Sequence, residues 1–277
     1  MTATIQWFPG HMAKAIRHIK ETSSTIDVIM EVLDARAPKS SQNPVLEEIL
    51  QKKPRLIILN KADLCDSRAL RAWIAYFKTL STIVLPVNAI SGKGSKKIES
   101  ALVEVFARKN TSRKLIRVTV FGVPNVGKSS LINHLIGKKK TLVGNKPGVT
   151  KKQIWHALGE KCLLLDTPGI LWPKFESPDI GQKLAALNCI KEQRYDSEEI
   201  AYYLCDFLMA HYPRLINQRF KLDEEFTEAT NVFEAIGKKH GYFLSGNEID
   251  ITRVYNTFIR EFRSGKIGRI SLEKPPA

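Results

Sequence analysis

A chain of 277 residues, 43% apolar and 26% charged, is long enough for one large globular domain or two moderate ones and too apolar to be disordered in the main. No run approaches the roughly 18 apolar residues of a membrane helix, and the opening MTATIQWFPGHMAK lacks the charged start and long apolar stretch of a secretory leader, so no membrane span and a cytoplasmic location are expected. A net charge of +15 points to a polyanionic partner, nucleic acid or an acidic membrane surface, or to a merely basic cytosolic protein.

The basic excess is uneven. Residues 1–176 carry 29 basic and 13 acidic side chains, residues 177–251 carry 8 and 13, and residues 252–277 carry 6 and 2. Cys65, Cys162, Cys189 and Cys205 form no C-x-x-C pair, which argues against a zinc knuckle or a disulfide framework and fits a reducing compartment.

In chain order the spacing predicts a helix over 10–23, a strand over 26–33, a helix over 44–51 and a strand over 55–59. A helix over 67–79, a strand over 83–87, a helix over 93–107 and a strand over 115–121 follow. A helix over 128–136 and strands over 153–158 and 162–165 complete the first 176 residues. Alternating strands and helices imply an α/β fold, a mostly parallel sheet covered by helices on both faces. Only Gly159, Glu160 and Lys161 separate the last two strands, so these two are expected as an antiparallel hairpin.

The basic stretch 108–114, RKNTSRK, reads as a linker within that domain. Beyond Pro178 the pattern is helical, with apolar residues at Ile200, Tyr203, Leu204, Phe207 and Leu208, and again at Ile251, Val254, Phe258 and Phe262. The expected organisation is an α/β domain over 1–176, then a smaller all-α domain over 177–277 ending in a frayed basic tail.

Gly122-Val-Pro-Asn125-Val126-Gly127-Lys128-Ser129 follows a predicted strand and opens a predicted helix, the context that a phosphate-binding G-x-x-x-x-G-K-[ST] loop requires. The glycines let backbone amides close around phosphates, and the helix N-terminus adds positive potential. Lys128 is expected at the β- and γ-phosphates and the Ser129 hydroxyl on Mg²⁺, with Ser130 among the nucleotide-binding residues.

Three more signals join it. Asp166-Thr-Pro-Gly169 ends an apolar strand, where Asp166 approaches Mg²⁺ and Gly169 the γ-phosphate. Asn60-Lys61-Ala-Asp63 ends another, where a carboxylate accepts two hydrogen bonds from guanine and the lysine stem lies along the base. Thr150 sits between loop helix and hairpin, where a switch threonine caps Mg²⁺. Singly, these residues also suit a helix cap, a turn and a surface hydroxyl. Asn88-Ala89-Ile-Ser-Gly92 would supply the remaining loop around the base.

These guanine-nucleotide motifs come in an unusual order, with Asn60–Asp63 ahead of the phosphate loop, so the domain reads as circularly permuted, with 108–114 joining the old ends. The permuted order, Gln6-Trp-Phe-Pro-Gly-His-Met12 and Asp34-Ala-Arg36-Ala-Pro38 together resemble the bacterial ribosome-assembly GTPases of the YlqF/RbgA type. The resemblance is strong over about 1–175. It implies a permuted Ras-like P-loop domain followed by an all-helical one. It also implies GTP hydrolysis stimulated by the ribosomal particle, and a role in late maturation of the large subunit, with rRNA and ribosomal proteins as partners. A monomer that binds the particle with GTP and leaves with GDP is expected.

Where many GTPases place a water-orienting glutamine after D-x-x-G, this chain has Ile170 and then Leu171. The resemblance assigns His11 a catalytic role beside Lys128. In related loops an asparagine at the place of Asn125 helps hold K⁺, which would add positive charge where negative charge develops. Lys138, Lys139, Lys140, Lys151 and Lys152 flank the predicted switch and are candidates for rRNA phosphate, or a solvated basic face; Arg253, Arg260, Arg263, Lys266, Arg269 and Lys274 are candidates in the tail. The alternatives are a nucleotide-sensing RNA-binding scaffold with little hydrolysis, favoured by the missing glutamine, and another RNA-directed GTPase.

Overall fold

The structure, a computed structural model, describes residues 10–50, 53–108, 115–137 and 155–276. These fall into two compact units, one of residues 10–173 with 273–276 and one of Lys174–Leu272. Among the described residues no helix is long and apolar enough to cross a membrane.

The first unit is built on six strands, β1 (Val28–Asp34), β2 (Arg55–Asn60), β3 (Ile83–Pro86), β4 (Ile116–Phe121), β5 (Trp155–Leu158) and β6 (Cys162–Asp166), in the order β3-β2-β1-β4-β6-β5. All neighbours are parallel except β5, which runs antiparallel to β6 as the short connection requires. β1 is buried at all seven positions, its charged Glu31 and Asp34 included, as in a strand covered on both faces. Register puts Asp34 opposite Asn60, and Val120 opposite Asp166, so these residues stand together at the carboxyl ends of the parallel strands. These pairings do not depend on where the chain starts, so a circularly permuted Ras-like sheet closes as an unpermuted one does.

The helices of this unit are α1 (Gly10–Thr22), α2 (Pro44–Leu50), α3 (Ser67–Thr79), α4 (Ile98–Ala107) and α5 (Lys128–Ile136). Asp66 starts α3 by accepting hydrogen bonds from the amides of Arg68 and Ala69, a cap worth about 1 kcal/mol. Trp73 and Phe77 on its inner face pack with Leu33, Ile57 and Leu59.

The helix expected from 93 starts later, with a 3₁₀ turn at Ser95–Lys97 ahead of α4. Gly94 sits at φ +88°, and a Cβ there would lie 2.3 Å from the carbonyl oxygen of Pro86, so the chain must turn at that point before it can coil.

The second unit is all-helical: α6 (Pro178–Ala186), α7 (Ser197–His211), α8 (Pro213–Phe220), α9 (Ala229–His240) and α10 (Ile251–Arg263). Phe233 of α9 lies 5.4 Å from Phe258 of α10 and 5.2 Å from Tyr202 of α7, edge to face in both cases, and Phe220 of α8 stacks on Phe258.

The chain after α10 is not the frayed basic tail that the sequence suggests. Ile267, Ile270 and Leu272 are buried, and the Tyr212 hydroxyl both donates to the carbonyl of Ser271 and accepts from its amide. Glu273 joins the first unit: its carboxylate accepts from the amides of Lys39 and Ser40 and from the Ser40 hydroxyl, and its carbonyl accepts from the Trp73 indole. Arg263, a candidate for phosphate, is spent inside the second unit on Glu192, the Tyr195 hydroxyl and the carbonyls of Ala185 and Ala186.

Candidate nucleotide site

Strand β4 delivers the phosphate loop and α5 receives it. Gly122 holds φ +154°, and a Cβ there would meet the carbonyl oxygen of Val32 at 2.3 Å; Gly127, at φ +98° on the N-cap of α5, would meet Asn60 Nδ2 at 2.3 Å. Only glycine lets the loop lie this close to the neighbouring strand ends. Asn125 between them is also left-handed, at φ +58°.

Lys128 is buried, and its Nζ donates to the carbonyls of Gly122 and Val123 at 3.0 and 2.9 Å, so the ammonium arches over the loop from the positive end of α5. Gly169 lies on the same concavity. A Cβ on it would sit 2.7 Å from the Cα and nitrogen of Pro124 and 3.0 Å from Lys128 Nζ. The D-x-x-G segment and the phosphate loop therefore touch through glycine backbone, with a cationic donor between them for an anion.

Ser129 and Ser130 are exposed on the first turn of α5, and Asp166 is the exposed last residue of β6. Partial burial raises the Asp166 carboxyl above the ordinary value, and the charge of Lys128 works the other way. A hydroxyl and a carboxylate whose charge lacks full solvation are hard oxygen donors that suit Mg²⁺. Thr167 faces inward, its hydroxyl bonded to the carbonyl of Val120. Ile170 and Leu171 are both fully buried, and the carbonyl of Ile170 accepts from the Asn43 amide, so neither side chain is placed to orient water.

On the base side, Asn60 is 2% exposed and works within the protein: its Nδ2 donates to the carbonyl of Val126 at 2.7 Å and its Oδ1 accepts from the amide of Ala89 at 3.0 Å. One amide thus ties the phosphate loop to the 88–92 loop. Asn88 shapes that second loop by accepting from the amides of Ile90 and Ser91, and the His134 ring of α5 packs where a Cβ on Gly92 would fall.

Lys61, in the left-handed conformation at φ +56°, donates from Nζ to the carbonyl of Asn125 at 2.8 Å. Asp63 is exposed at the start of the following turn. If Asp63 takes guanine, Asp63→Asn exchanges an acceptor oxygen for an NH₂ that would face the base's own donors. Lost GTP preference and gained xanthine-nucleotide binding are the expected results in a competition assay.

The sequence did not assign a role to a cluster beneath Lys61. Asp34 is fully buried; its Oδ1 accepts from Arg36 Nε and its Oδ2 from Arg36 Nη2, both at 2.9 Å, and Oδ2 also lies 2.8 Å from Lys61 Nζ. Burial alone would raise this carboxyl, but Arg36 and Lys61 hold it well below the ordinary carboxylate range. The side chain of His11, in the first turn of α1, lies outside the described residues, as do Thr150 and Lys138, Lys139, Lys140, Lys151 and Lys152.

Comparison with known proteins gives this geometry a family. The family described as 50S ribosome-binding GTPase matches residues 117–237, and the one described as RsgA GTPase matches residues 24–176. Ribosome biogenesis GTPase A of Bacillus cereus is 43% identical over 98% of this chain and 94% of its own length, and that of Thermotoga maritima is 32% identical over 98% and 95%. The crystal structure of GNP-bound YlqF from T. maritima superposes with a TM-score of 0.66 at 28% identity, covering 95% of this chain and 98% of that one. Its GDP-bound structure gives 0.67 at 27%, over 94% and 99%. A phosphate loop, a D-x-x-G glycine against its lysine and an N-K-x-D turn, gathered at the carboxyl ends of the strands in permuted order, together with identity along nearly the whole chain, place this protein in the ribosome biogenesis GTPase A family.

Proposed function

We propose that the chain is a Mg²⁺-dependent GTP hydrolase that binds a large-subunit ribosomal precursor in its GTP state and leaves after hydrolysis, acting in the cytoplasm as a monomer. The observation that supports this reading is the approach of Gly169 to Lys128 Nζ, from which the D-x-x-G segment would sense a γ-phosphate bound by the lysine. Bound Mg²⁺, held by Ser129, Asp166 and Thr150, would neutralise the β- and γ-phosphate oxygens. Lys128 binds those oxygens, Asp63 selects the base and the Ile170 backbone is pinned by Asn43. His11 is the group proposed to orient water, and K⁺ at Asn125 would add charge near the phosphates.

Lys138, Lys139, Lys140, Lys151 and Lys152 are proposed as contacts to rRNA phosphate. If the first three all touch phosphate, neutralising them together flattens the dependence of particle binding on log salt by about two to three units. An unchanged slope moves the contact elsewhere.

The test of the function is GTP turnover with and without ribosomal subunits, in K⁺ and in Na⁺. Stimulation by large-subunit particles is expected, with more turnover in K⁺. Burial of Ile170 favours a second reading, a nucleotide-sensing scaffold, whose signature in the same assay is GTP-dependent particle binding with no stimulated hydrolysis.

A further inference from the structure

The Asp34-Ala-Arg36 motif is used neither by phosphate binding nor by hydrolysis, yet it is among the most thoroughly buried polar groups of the first unit: Asp34 and Arg36 are 0% and 2% exposed. Both Asp34 oxygens are engaged by Arg36, and Arg36 also places its own amide on Oδ1. The loop that follows is fixed as well. The Asp34 amide donates to Ser41 Oγ, whose hydroxyl bonds the carbonyl of Ala37, and Glu273 caps the amides of Lys39 and Ser40. A carboxylate held this rigidly offers one remaining interaction toward the site, the 2.8 Å contact of Oδ2 with Lys61 Nζ.

The Lys61 ammonium is therefore held between two fixed acceptors, Asp34 Oδ2 and the carbonyl of Asn125 in the phosphate loop, while the side chain keeps 24% exposure. Its stem is the surface along which the base lies if residues 60–63 are the guanine site, the reading on which this inference rests. A free lysine loses rotamer freedom when a ring packs on it; one already held by its charge loses less.

We infer that Asp34 is a positioning residue for guanine recognition, whose buried carboxylate fixes the Lys61 ammonium so that the lysine stem forms a preorganised platform for the base. Arg36 keeps the carboxylate in place, and Asp34 itself touches no ligand.

The experiment compares two probes, GTP and inorganic tripolyphosphate, which share the phosphates but not the base. Asp34→Asn is expected to weaken GTP about three- to tenfold, the cost of ordering one long side chain, and to leave tripolyphosphate affinity unchanged. In a Lys61→Met background the same substitution is expected to add nothing, because the platform is already lost. If Asp34→Asn does not fold, Asp34→Asn with Arg36→Gln removes both buried charges together and carries the same expectation.

Equal weakening of both probes would mean a merely structural role. An effect undiminished in the Lys61→Met background would break the link to Lys61. Unchanged GTP affinity in a folded variant would also overturn the inference. If the unmodified protein bound GTP no better than tripolyphosphate, the base site itself would fail, and the inference with it.

Discussion

Lys128→Ala is expected to lower GTP affinity by about 10²–10⁴-fold while the domain stays folded. The ammonium would supply two charge-assisted hydrogen bonds to phosphate oxygens, each worth about 1.5–3 kcal/mol, and every 1.4 kcal/mol or so is a factor of ten. Its partners include the buried carbonyls of Gly122 and Val123, and leaving these without a donor costs about 1–3 kcal/mol. That is small beside a typical stability of about 5–15 kcal/mol. The loop itself keeps its shape without the lysine, because Asn60 still holds the carbonyl of Val126 and Lys61 that of Asn125. Calorimetry with GTP, alongside circular dichroism, checks both halves. Undiminished binding in a folded variant would show that phosphate is bound elsewhere.

Most of the sheet was legible in the sequence because its signals are local. α3 was found at its observed bounds: Asp66 caps it, and Trp73 and Phe77 repeat at helical spacing. α5 was found at its observed bounds because Gly127 and Gly137 bracket it. The 3₁₀ turn before α4 was missed because it depends on Gly94 passing the Pro86 carbonyl, a tertiary contact.

The tail departs from its sequence reading for the same reason. Its basic residues dominate the local pattern, Ile267, Ile270 and Leu272 are too few to show a period, and Glu273 finds its partners at Lys39 and Ser40, far off in the chain. At the site, motif spacing named Lys61 and Asp63, but Asp34 could be joined to Lys61 only by the register that sets β1 beside β2. Asn60 likewise stood in the motif as a ligand-side residue, and only the fold shows its amide spent on Val126 and Ala89.

His11→Ala is expected to cut particle-stimulated turnover by about 10²–10⁴-fold, the range for a positioned acid–base group, with GTP affinity left near its original value. Ile170 and Leu171 are fully buried and Trp172 is nearly so, and Asn43 holds the Ile170 carbonyl at 2.8 Å. A side chain turned into the core and tied by its backbone does not swing out to orient water, and an aliphatic one would give water no hydrogen bond if it did. The attacking water therefore needs a polar group from outside this segment. The proposed source is the Gln6–Met12 motif: Gly10 and His11 open α1, and the buried Met12 anchors that first turn. A neutral imidazole accepts a hydrogen bond on one nitrogen and donates from the other, which suits it to orient the nucleophile. Since this group would act on water and not on the nucleotide, the loss falls on kcat, and the variant should remain on the particle while GTP persists. Turnover and particle retention measured together separate the outcomes. Full stimulated turnover would show that His11 does not act on the water and would move the role to K⁺ beside Asn125 or to a group supplied by the particle. Loss of GTP binding along with turnover would make His11 part of the nucleotide site instead.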